Sequence, residues 1–172
     1  MKPHLNFAMM VILIAQLVSG SFDIYYLKRN TKGSPTEGWQ VLDASQKSCP
    51  DLHTTRLFPK RRDVSGNKIG VRCDGKGCWS GAAGGGDPSD IDILEMHFSN
   101  TPQLHWTIYR LGHPGEPWTM FAAGTGLAVG KCTPSYEDDS WFQNCGEWSG
   151  HARMRCSMYF SADFINSHDR GW

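Results

Sequence analysis

The sequence predicts a mostly β, disulfide-stabilised single domain, of sandwich or barrel-like form or of α+β form with one short helix. Three observations carry that prediction. Period-two alternation recurs in several short runs, six cysteines lie behind an apolar leader, and no long amphipathic helix or heptad pattern is present.

The clearest β signal is 90–110. From Gln103 to Arg110, Leu104, Trp106 and Ile108 point one way and His105, Thr107 and Tyr109 the other. In Ile91 to Phe98, Leu94, Met96 and Phe98 share a face, and Glu95 and His97 share the opposite one. Ile93 beside Leu94 breaks the parity, which points to a bulge or to burial on both faces. Ser99-Asn100-Thr101-Pro102 supplies the turn. A three-residue loop sets His97 opposite His105; a two-residue loop sets Met96 there instead.

Other strands are expected at Phe22 to Lys28, Gly38 to Asp43, Lys68 to Cys73, Trp118 to Ala123 and, more weakly, Gly124 to Gly130. His151 to Phe160 alternates over its whole length. Ala152, Met154, Cys156, Met158 and Phe160 form one face, and His151, Arg153, Arg155, Ser157 and Tyr159 the other. The one helix expected is short, Asp51 to Leu57. Asn30 to Glu37, Phe58 to Asp63, Gly81 to Pro88 and Lys131 to Gly150 read as loops.

Residues 1–20 read as a signal peptide. A short charged start precedes the apolar run Phe7 to Val18, and Val18-Ser19-Gly20 suits cleavage. That run is too short to cross a bilayer, so no membrane span is expected. Cleavage after Gly20 leaves 172 − 20 = 152 residues, enough for one domain with a core. The domain is expected over 21–160, with 161–172 a loose tail. Lys28-Arg29 is a possible dibasic processing site, but cutting there would remove the first strand. No Asn-x-Ser/Thr sequon occurs.

An even number of cysteines behind a leader implies three disulfides and an extracellular address. Fifteen connectivities are open. Short loops favour Cys73–Cys78 and Cys132–Cys145, leaving Cys49–Cys156. Zinc-thiolate ligation needs paired short spacings, and Cys73 to Cys78 is the only close pair.

Formal charge is zero but unevenly spread. Arg56 to Lys76 is basic and includes Lys60, Arg61 and Arg62; Asp87 to Tyr109 carries Asp87, Asp90, Asp92 and Glu95 without Lys or Arg. The plain reading is mutual neutralisation across the fold. The sharper one is a basic patch for a phosphate-rich partner such as RNA, although nucleic-acid binders usually carry a net basic domain.

Two constellations hold chemistry. Glu95, His97 and His105, with Arg153 or Arg155 nearby, supply the base, acid and charge clamp of phosphodiester cleavage. On a half-buried strand such groups are also ordinary surface residues. The same trio is a possible metal set, and Asp87, Asp90 and Asp92 a possible calcium set, but neither has diagnostic spacing, so no metal or other cofactor is expected. Trp79, Trp118, Trp141 and Trp148 lie beside Gly- and Ser-rich segments. Exposed, they would stack on sugars or anchor a partner; buried, they would roof a disulfide-rich core. No phosphate-binding loop, nucleophile elbow or zinc-protease helix is present.

In format, with leader Met1–Gly20, six cysteines in a short β-rich chain and no catalytic signature, the sequence resembles the small secreted cysteine-rich proteins of filamentous fungi that are treated as candidate effectors. The resemblance implies action outside the producing cell by binding a host protein or cell-wall polymer, as a virulence factor. It carries over no functional residue. The alternatives are a ribonuclease-like hydrolase and a carbohydrate-binding module.

Overall fold

The computed structural model describes residues 20–31, 33, 35–45, 47–78, 86–111, 115–136 and 145–168. The leader assigned to residues 1–20 lies outside them but for Gly20, as do Trp79 and Trp141.

Among the described residues, nine strands form one antiparallel sheet that curls almost into a barrel. They are β1 (Gly20–Arg29), β2 (Thr36–Asp43), β3 (Phe58–Pro59), β4 (Gly70–Gly75), β5 (Ile91–Asn100), β6 (Gln103–Tyr109), β7 (Trp118–Ala122), β8 (Ala128–Pro134) and β9 (Trp148–Met158). Their order is β3-β2-β1-β9-β8-β7-β6-β5-β4. The two edges meet through a single parallel bridge, Lys60 with Val71, reinforced by the Arg61 N–H donating to the Val71 carbonyl at 2.9 Å. Pro59 ends β3 after two residues, because proline has no N–H for the ladder.

Alternation packs the interior. Phe22, Ile24 and Tyr26 of β1, Trp39 and Val41 of β2, Leu94, Met96 and Phe98 of β5, Leu104, Trp106 and Ile108 of β6, and Met154, Cys156 and Met158 of β9 join one buried cluster. A second, smaller cluster lies outside the sheet, where α1 (Cys49–Thr54) covers Tyr25, Leu27, Leu42 and Trp148. α1 starts where Ser48 caps it, its N–H donating to Asp51 Oδ2 at 2.7 Å, with Pro50 in the first turn. It ends at Thr54, short of the expected Leu57, because Thr55 is extended.

Several expectations are corrected. Phe58 is not in an exposed loop but fully buried, its ring 4.5 Å from that of Phe98. The stretch Lys131 to Gly150 gives its first residues to β8 and its last to β9. The C-terminal stretch expected to be loose holds α2 (Ala162–Ser167), which buries Ala162 and Ile165 in the interior cluster. Arg56 Nη1 donates to the His168 carbonyl at 3.1 Å and so ties that end down.

The β9 alternation fails at one point. The register against β1 shifts between Ile24, opposite Met154, and Tyr25, opposite Ala152. Arg153 is the extra residue, so Ala152 falls in the outer cluster and not on the Met154 face.

Register also decides the disulfides. Cys73–Cys78 forms as spacing suggests. Cys132 lies directly opposite Cys156 in the β8–β9 ladder and bonds it, in place of Cys145. Cys145 bonds Cys49 in the first turn of α1, outside the sheet, in place of the expected Cys49–Cys156. Sequence separation favours near neighbours, whereas pairing across the ladder joined residues 24 apart and left 96 for the other bridge. Among the described residues no helix is long and apolar enough to cross a membrane.

Candidate functional site

The hairpin of β5 and β6 brings Glu95, His97 and His105 together. A two-residue turn, Thr101-Pro102, pairs Asn100 with Gln103, and a bulge at Phe98 then restores His97 opposite His105. The rings stack, 4.3 Å apart and 6° from parallel. His97 Nδ1–H donates to the Val64 carbonyl at 2.9 Å, and His105 Nε2–H donates to Glu95 Oε1 at 2.9 Å. Arg72, one strand over and opposite Glu95, donates to Oε2 at 3.0 Å and also pairs with Asp74.

The network is partly buried, and His97 Nε2 has no hydrogen-bond partner among the described residues. His97 is fully buried and His105 nearly so. Burial pushes the His105 imidazole down; the Glu95 carboxylate opposes the shift and His97 adds to it. Both Glu95 oxygens accept from protein donors, and neither the 770 Å³ cleft nor the 1130 Å³ groove described below is lined by Glu95, His97 or His105. The stacked pair, together with the buried Val64, fixes the segment between β3 and β4 to the sheet.

The two arginines expected beside this trio are elsewhere. Arg155 grips the buried Asp23 of β1 with Nε and Nη2, each at 2.9 Å, and Lys47 pairs with the same carboxylate. Arg153, displaced by the bulge, is buried and donates to the Gly86 carbonyl at 2.7 Å. Arg72 is the residue the sequence argument missed. Its signal was present, since Arg72 alternates with Gly70 on a neighbouring strand, but only strand order makes it the partner.

The tryptophans go the other way. Trp118 is 6% and Trp148 7% exposed, so neither offers a face for stacking. Trp148 sits under the Arg29 guanidinium and donates its indole N–H to His53 Nδ1 at 3.4 Å.

The basic segment meets the acidic one through Arg72 and Glu95, but its other pairs are with different carboxylates. Lys60 lies 3.5 Å from Glu37, and Lys68 pairs with Asp63. Asp90 and Asp92 both meet Arg110, and Asp87 takes the Tyr136 hydroxyl at 2.9 Å, so the three aspartates do not converge on a cation. Among the described residues no three His, Cys, Asp or Glu side chains could hold a metal.

The open site is the unclosed part of the barrel. Beyond the single Lys60–Val71 bridge, β2 and β4 part and leave a cleft of about 770 Å³. Lys60, Arg61, Arg62 and Arg72 line it, with Glu37, Asp74, Trp39 and the Cys73–Cys78 bridge. Trp39 is 1% exposed and its indole N–H has no hydrogen-bond partner among the described residues. Tyr26 packs edge-on against it, 5.0 Å between ring centres, under the Lys60 ammonium. Burial and the Glu37 carboxylate push the Tyr26 phenol far above its ordinary range. A wider groove of about 1130 Å³ shares Glu37, Pro59 and Arg61 with the cleft and runs on to Thr36, Thr54, Thr55, Asp51, Asp163 and Ser167. Sequence spacing gave no hint of Glu37 or Trp39, because barrel closure alone sets them beside β4.

Comparison with protein families, with curated proteins and with solved structures finds no match.

Proposed function

We propose that this chain is an exported binding protein, of the effector type its format resembles, and that it engages its target through the cleft between β2 and β4. One contrast supports this reading. Glu95 accepts from both Arg72 and His105, His97 donates to the Val64 carbonyl, and none of the three lines the cleft or the groove. The cations of the cleft line an open space. A space of several hundred Å³ with a few polar groups on its walls is the common form of a ligand site.

Incubation with RNA tests the competing hydrolase reading, and thermal-shift measurements against a panel of cell-wall oligomers and small anions test the binding one. The expected result is intact RNA and at least one stabilising ligand whose effect falls in Arg61→Ala and Arg62→Ala. RNA hydrolysis that disappears in Glu95→Gln would replace binding with catalysis.

A further inference from the structure

We infer that the cleft takes the anionic sugar of an acidic saccharide and that the adjoining groove takes the neutral sugars that follow it. The inference rests on the binding reading above and names the ligand class.

The cleft is built for one oxyanion. Four cations line it, against the carboxylates of Glu37 and Asp74. Arg62 is exposed and makes no ion pair or side-chain hydrogen bond among the described residues. A guanidinium with that freedom binds a carboxylate or sulfate in bidentate fashion. Deeper in, Trp39 holds a buried N–H that donates to nothing among the described residues, a donor that normally finds an acceptor.

The groove has different chemistry. Thr36 and Thr55 line it with hydroxyl groups, and Glu37, Asp51 and Asp163 offer acceptors. Sugar hydroxyls donate to carboxylates and accept from hydroxyls. A polyphosphate chain would bring its next charges against those three acids. Base stacking has no platform either, since Trp39 is buried and Tyr26 is 2% exposed. The pattern of one charge followed by a neutral, hydroxylated tail is that of an acidic sugar at the end of an oligosaccharide.

Calorimetric titration of the whole folded protein tests this. The probes are a xylo-oligosaccharide carrying one glucuronic acid, a sulfated sugar on the same backbone, the neutral xylo-oligosaccharide and an RNA decamer. The expected result is binding of one or both acidic probes at least tenfold tighter than of the neutral one, with a fivefold or greater loss in Arg62→Ala. Which acidic probe binds better distinguishes a carboxylate from a sulfate ester. Arg62 is exposed, so the variant keeps its melting temperature, and lost affinity then reports the site. Equal affinity for the neutral probe, tighter binding of RNA, or no saccharide binding would overturn the inference. An Arg62-dependent thermal shift with another ligand would leave the broader binding reading standing in that last case; RNA hydrolysis would remove both.

Discussion

His97 and His105 stack face to face across the β5–β6 ladder, 4.3 Å between ring centres, with His105 held by Glu95. His97 donates through Nδ1 and His105 through Nε2. Burial holds the His105 pKa below that of a free histidine, so the unfolded chain takes up its proton first as the pH falls. Stability should therefore drop as the pH is lowered from about 6.5 toward the depressed native value, and be unaffected by this group above that window. Urea titrations at pH 7.5 and 5.5 check it: His105→Gln should lose less stability on acidification than the parent chain.

Glu95 serves that stack as an acceptor for both His105 and Arg72. Glu95→Gln should lower unfolding stability by about 1.5–3 kcal/mol, the range for a hydrogen bond to a charged group. Chemical denaturation measures this. An unchanged midpoint would mean that the network contributes nothing.

Asp23 is fully buried and Arg155 grips both its oxygens. Asp23→Asn should cost about 3 kcal/mol, the lower end for breaking a buried pair, because the Arg155 side chain is 43% exposed. The loss should appear in thermal and urea unfolding alike.

The three bridges should differ in weight. Removing Cys49–Cys145, which spans 96 residues, should cost about 4–5 kcal/mol in the chain-entropy view; removing Cys73–Cys78, which spans 5, should cost about 2. Paired Cys→Ala variants, unfolded in guanidinium, give the comparison. Peptide mapping without reduction should recover Cys132 joined to Cys156.

The strands were largely legible, because alternation is a local signal and Leu104-to-Tyr109 or Met154-to-Met158 announce their faces directly. What was illegible depended on one-residue events. The bulge at Arg153 put Ala152 in the outer cluster, and the bulge at Phe98 set the two histidines opposite each other despite a two-residue turn. Neither bulge residue differs in type from its neighbours in a way that marks it. Trp118 and Trp148 show the same limit from another side: residue type cannot say whether a tryptophan covers a core or faces solvent. Glu37, Trp39 and Arg72 meet only because β2 and β4 are brought together by the closing bridge.

The most direct test follows amide and indole signals of the ¹⁵N-labelled protein by NMR during titration with the glucuronic-acid-bearing oligosaccharide. The largest shifts should fall on the Trp39 indole N–H and on the amides of Glu37, Arg61 and Arg62, with those of Glu95, His97 and His105 unmoved. Shifts centred on the hairpin, with the Trp39 indole unchanged, would contradict a ligand site between β2 and β4.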